Sequence, residues 1–151
     1  MPLQPLDRLR EVGYYSIKFV NFVDNVSTAE RSAGLATIGI LLTGGPFQFE
    51  NWETAADIGE AALIKGHTVK YFYYLDGVYN PIRHQSFPDL ETLPKDRLLA
   101  LVDKGAEIIA CGVCVNARGL QGGKDYVEGV RVGGLPDFAE IVGEVDRLVT
   151  L

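Results

Sequence analysis

Both cysteines of the chain fall in one stretch, Cys111-Gly112-Val113-Cys114-Val115-Asn116-Ala117-Arg118-Gly119, and here the residue types could do chemistry. Ile108-Ile109-Ala110 just before it is apolar enough for a buried strand, and Cys111-Gly112 is where that pattern gives way to a helical turn. A helix starting there sets Cys111, Cys114 and Arg118 at i, i+3 and i+7, on one face. A free thiol titrates near about pH 8.5, and a helix N-terminus and a neighbouring cation both favour its anion. The stretch therefore offers a nucleophilic sulfur, a second sulfur within reach and a guanidinium whose fork suits an oxyanion such as thiosulfate. The competing reading is that both cysteines are small buried hydrophobes, since free Cys is among the most buried residue types.

A strand-end cysteine needs a sheet behind it, and the chain supplies the pattern of one. Residues 37–43 are apolar almost throughout, as in a parallel strand covered on both faces, and end at Gly44-Gly45-Pro46. Asn51 is placed to cap a helix that carries Trp52, Ala55, Ala56, Gly59, Ala62 and Leu63 at three-four spacing and stops at Gly66. Residues 68–75, rich in β-branched and aromatic types, give a second strand. A long connection without clear periodicity follows, from Asp76 to about Leu93. It holds Tyr79, able to hydrogen-bond a substrate or simply to pack its ring, and His84, a possible proton acceptor; His67 is expected to face solvent. Pro94 opens the next helix, which leads to the strand ending at Cys111. Gln121-Gly122-Gly123-Lys124 reads as a flexible loop able to act as a lid. A strand over 127–132, a helix from Leu135 and a last strand over 147–151 complete an alternation that predicts a mostly parallel five-stranded sheet between helical layers, a three-layer α/β/α domain.

Residues 1–36 stand apart, with Val12, Tyr15, Phe19, Phe22, Val23 and Val26 at helical spacing. They predict an amphipathic helix over 6–31, an N-terminal helical extension ahead of an α/β domain spanning 37–151. The net charge is −6 and no basic cluster is interleaved with aromatics, which argues against nucleic acid as a partner. No apolar run long enough to span a membrane and no secretory signal are evident, so the expected setting is cytoplasmic, with no membrane partner. There, paired cysteines are more often catalytic, redox-active or metal-binding than structural. Only His67 and His84 could complete a zinc set, at unsuitable spacing, so neither a metal nor a cofactor is expected. Gly44-Gly45 lacks the remainder of a phosphate-binding loop.

The order of these pieces resembles the DsrE/TusD/YchN-type proteins of sulfur relay and sulfur oxidation. The matching segments are Ile40-Leu41-Leu42-Thr43-Gly44-Gly45-Pro46, Asp76-Gly77-Val78-Tyr79-Asn80, the Cys111 to Gly119 stretch, and Gly129-Val130-Arg131-Val132-Gly133 through the C-terminal strand. The resemblance implies homo-oligomers, from dimers to hexamers, and a cysteine at the end of the central strand that carries sulfur as a persulfide or thiosulfonate. Carried over by position, that cysteine is Cys111, and Cys114 matches a second cysteine of the YchN-like branch. Arg118, placed by its spacing, joins the two cysteines as a candidate at the reacting centre. Gly44, Gly45, Tyr79, Asn80 and Asn116, which lie in the matching segments, are the candidate substrate contacts. Sulfur donors and acceptors, whether proteins or small sulfur compounds, are the expected partners. Beside this sulfur-carrier reading stand two others: a Cys-x-x-Cys dithiol redox protein and a non-enzymatic oligomeric module.

Overall fold

The computed structural model describes residues 34–87 and 92–151; the helix expected over 6–31 lies outside them. Leu35–Leu151 form one compact unit. Its five strands are β1 (Thr37–Leu42), β2 (Thr68–Tyr73), β3 (Glu107–Cys111), β4 (Val130–Gly133) and β5 (Arg147–Thr150). They lie in the order β4-β3-β2-β1-β5, every neighbouring pair parallel. All five carboxyl ends therefore open on one edge, where the loops after β1, β2 and β3 meet.

The helices are α1 (Asn51–Ile64), α2 (Pro94–Asp103), α3 (Gly112–Ala117), α4 (Gly122–Asp125) and α5 (Leu135–Glu144). Successive residues of β2 show the layering, because side chains alternate across a strand. The buried hydroxyl of Tyr71 donates to the Ala55 carbonyl of α1 at 2.9 Å, whereas Phe72 meets Phe138 of α5 with ring centroids 4.9 Å apart. α2 lies beside α1, joined by Arg97 to Asp57 and Glu60. The result is the three-layer α/β/α architecture expected, with an all-parallel sheet. Ile40, Leu42, Tyr71, Phe72, Tyr73, Ile108 and Ile109 are buried along the three central strands. Each such side chain contributes roughly 1.5–3 kcal/mol on burial, which makes the strand behind Cys111 a stiff support.

Four local expectations are corrected. Asn51 begins α1 rather than capping it, and Glu50 precedes it with no side-chain cap; the Asn51 side chain instead lies against Gly44. β2 stops at Tyr73 because Leu75 turns the chain at φ 48°, and Leu75–Tyr79 then wind into a 3₁₀ turn. Tyr126 and Val127 pair with the 81–83 segment instead of the sheet, through an Ile82–Tyr126 bridge and a Val127 N–H to Pro81 carbonyl bond of 3.0 Å. β4 therefore starts only after Gly129, whose φ of 86° redirects the chain. The expected lid loop is the helical turn α4, tied down by Arg83, whose Nη2 donates to the Gly123 carbonyl at 3.2 Å.

Candidate functional site

Cys111 closes β3, and its own backbone is still extended, at φ −65° and ψ 115°, when α3 begins at the next residue. The helix places Cys114 one turn on, beside Cys111. Both thiols are free and buried, Cys111 at 1% exposure and Cys114 at 6%. A third element enters from β2: the Leu75 N–H donates to Cys114 Sγ at 3.3 Å. Burial pushes the Cys114 thiol above its ordinary range, the Leu75 N–H opposes this, Cys111 reinforces it, and Arg118 makes the smallest contribution, downward. Burial thus favours the neutral thiol form of Cys114.

Arg118 follows α3, and Gly119 at φ 70° ends the turn. All three guanidinium nitrogens have partners. Nε and Nη2 both donate to Asp76 Oδ1, at 2.8 and 2.6 Å, and Nη1 donates to the Cys114 carbonyl at 3.3 Å. The guanidinium carbon also lies 5.9 Å from the centre of the Tyr79 ring. Hydrogen bonding to Asp76 raises the Arg118 pKa further, so the cation is permanent but compensated. The fork expected to meet an oxyanion meets a carboxylate of its own chain.

That carboxylate sits on a turn held in place by polar bonds. Asn80 is 1% exposed and its Nδ2 donates to the carbonyls of Gly44 at 3.0 Å and Gly77 at 2.8 Å, tying the loops after β1 and β2 together. Gln85 Nε2 donates to the carbonyls of Tyr79 at 2.8 Å and Asn80 at 2.9 Å. Tyr126, buried near both cysteines, donates its hydroxyl to the Val78 carbonyl at 2.9 Å, and burial pushes its pKa well up. Gly77 is required by contact rather than by torsion, since a Cβ there would stand 2.1 Å from the Leu42 carbonyl oxygen. Beside this turn lies an open recess of about 360 Å³ lined by Gly45, Gln48, Asp76, Tyr79, Ile82 and Gln85 among others.

The sequence profile of the DsrE/DsrF-like family matches residues 36–151, the whole of the α/β unit but its first residue. The chain belongs to the DsrE/DsrF-like family. An uncharacterized protein of Methanopyrus kandleri is 33% identical over 116 residues, covering 77% of this chain and 94% of that one. A protein of Allochromatium vinosum named as a candidate sulfurtransferase, DsrE, is 29% identical over 117 residues, 70% of this chain and 90% of its own. Among solved structures, the YchN protein of E. coli shares the fold at a TM-score of 0.71 and 21% identity, over 78% of this chain and all of YchN.

In this DsrE/DsrF-like chain the structure brings Cys111, Cys114, Arg118 and Tyr79 together at one edge. Gly45 lines the adjoining recess, and Gly44 offers its carbonyl to Asn80. Asn80 itself faces inward, bracing the loops. Asn116 is exposed on α3. His84 is exposed, with no side-chain hydrogen bond among the described residues. His67 is not simply solvent-facing: its Nδ1 accepts the Ala36 N–H at 3.1 Å. Sequence reasoning missed Asp76 as the partner of Arg118, and the Leu75 N–H as a ligand to sulfur. The Asp76-Gly77 pair signalled a turn, but nothing local signalled what that turn faces.

Proposed function

We propose that this chain is a sulfur carrier of sulfurtransferase type, holding sulfane sulfur on Cys111 as a persulfide or thiosulfonate and passing it to an acceptor thiol. The observation that carries the reading is a pair of free, buried thiols one helical turn apart at the carboxyl end of β3 in a chain of this family. A Cys111 thiolate attacks the outer sulfur of a donor persulfide; the new S–S bond forms as the donor's own breaks, and the donor thiolate leaves with the electron pair. An acceptor thiolate then takes the outer sulfur and Cys111 leaves as thiolate, so no net oxidation occurs. The Cys114 S–H steadies the charge on Cys111 at both stages. No cofactor or metal takes part, and a cytoplasmic, reducing setting suits two free thiols.

We further propose that the chain works as a homo-oligomer, a dimer or larger and up to a hexamer. Leu135 and Val142 of α5 and Leu148 of the edge strand β5 are exposed apolar side chains that such an assembly would cover. Light scattering should give at least twice the 16.5 kDa chain mass; a stable monomer at micromolar concentration would contradict it.

The placement of two free thiols one helical turn apart also favours a second reading, a dithiol redox protein with a Cys111–Cys114 disulfide. Incubation with cysteamine persulfide, removal of excess, and addition of a small acceptor thiol separates the two. A carrier shows a mass gain of one sulfur that moves to the acceptor, whereas a redox protein shows loss of two hydrogens and releases sulfide.

A further inference from the structure

We propose that Asp76 sets the charge selectivity of this site, excluding anionic sulfur compounds and admitting positively charged or uncharged ones. The substrate class in this statement rests on the sulfur-carrier reading; the charge filter does not. Arg118 is the cation next to the cysteines, and its Nε and Nη2 are both taken by Asp76 Oδ1 while its Nη1 is taken by the Cys114 carbonyl. An arriving oxyanion thus finds a compensated ion pair rather than a free fork. Asp76 Oδ2, by contrast, accepts no hydrogen bond from the described residues, and the side chain is 49% exposed.

The surroundings push the same way. Among the residues lining the adjoining recess, Asp76 is the charged one. The amide donors beside it are turned inward, Gln85 onto the Tyr79 and Asn80 carbonyls and Asn80 onto the Gly44 and Gly77 carbonyls. Among the described residues Asp76 is thus the one fixed charge facing the recess, whose lining holds no cation. Asp76 directly follows Leu75, whose N–H donates to Cys114 Sγ, so this carboxylate stands beside the thiols.

The test compares iodoacetate, an anion, with uncharged iodoacetamide on the full chain, following cysteine modification by mass. Both reagents need the same transient opening of the buried thiols, so the ratio of their rates cancels it and reports local charge. Relative to wild type, Asp76→Asn should raise the iodoacetate-to-iodoacetamide ratio about five- to tenfold at low salt. That gain should shrink toward wild type as salt approaches about 1 M. Arg118→Gln, which leaves Asp76 uncompensated, should lower the ratio below wild type. The double variant should return near wild type, and Asp76→Glu should keep the wild-type ratio. An unchanged ratio in Asp76→Asn, or in Arg118→Gln should Asp76→Asn not fold, overturns the proposal.

A parallel arm loads sulfur from thiosulfate or from cysteamine persulfide. The cysteine thiolate bonds to the sulfane sulfur, and sulfite or the cysteamine thiolate departs with the electron pair. Wild type should load from cysteamine persulfide and poorly from thiosulfate, with Asp76→Asn gaining thiosulfate loading. Ratios that move while no variant loads sulfur would refute the carrier reading and leave the charge filter standing. Sulfur loading with unmoved ratios would do the opposite.

Discussion

Two segments meet at the sulfur edge and are built on different principles. The backbone of the Cys111 to Gly119 stretch is shaped locally, by a buried strand end, one short helix and a glycine at φ 70°, though Cys114 and Arg118 reach across to Leu75 and Asp76. The Leu75 to Gln85 turn is held by distant groups: Thr43 and Gly44 carbonyls from β1's loop, Cys114 from α3, Arg118 beyond it, and Tyr126 from the segment before β4. The first segment places the sulfurs and the second decides what surrounds them. Damage to the turn should therefore cost more stability than damage to the helix end, even though the turn carries no cysteine.

The sharpest form of that comparison sets two glycines side by side. Gly77→Ala drives a Cβ to 2.1 Å from the Leu42 carbonyl and should cost about 3 kcal/mol or more. Gly119→Ala meets no atom within 4 Å and suffers only its positive φ, about 1 kcal/mol. Urea midpoints of the two variants measure the difference, and equal values would break the distinction. Asn80→Ala removes two hydrogen bonds from a fully buried position and should cost about 2 kcal/mol, loosening the loops after β1 and β2 together. Tyr126→Phe removes one, for about 1 kcal/mol, read in the same titration.

The smallest effect is a pH dependence. Cys114 has its pKa raised by burial, so the folded state keeps a proton that the unfolded chain gives up first. Its contribution is complete below the unfolded thiol pKa, about 8.5, and is lost as pH rises through the folded value. Tyr71, Tyr73 and Tyr126, also raised by burial, extend the loss at higher pH, from about 10 upward. Thermal midpoints should fall from about pH 9, with Cys114→Ser delaying the onset by a few tenths of a unit and leaving the tyrosine-driven fall in place. Identical profiles for wild type and Cys114→Ser would show that Cys114 is not a neutral buried thiol.

The same contrast explains what the sequence made legible. Five strands and the principal helices follow from apolar runs, three-four spacing and glycine or proline stops, because those signals act within a dozen residues. The strand end at Cys111 belongs to that class. The N-terminal face of α1 did not, since Asn51 turned toward Gly44 instead of its own helix. Nor did the start of β4, where Tyr126 and Val127 found partners in the 81–83 segment that no local pattern announces. Arg118 is the instructive case: its spacing from the cysteines was readable, but its charge state toward a ligand depends on Asp76, 42 residues away in sequence.

The central claim is that Cys111 carries the sulfur while Cys114 assists as a neutral thiol. Intact-mass measurement of Cys111→Ser and Cys114→Ser after parallel exposure to cysteamine persulfide tests it most directly. The account predicts no added sulfur on Cys111→Ser and a retained first adduct on Cys114→Ser, with transfer to acceptor thiol slowed about tenfold by loss of the S–H donor. Loading of Cys111→Ser equal to wild type would contradict it.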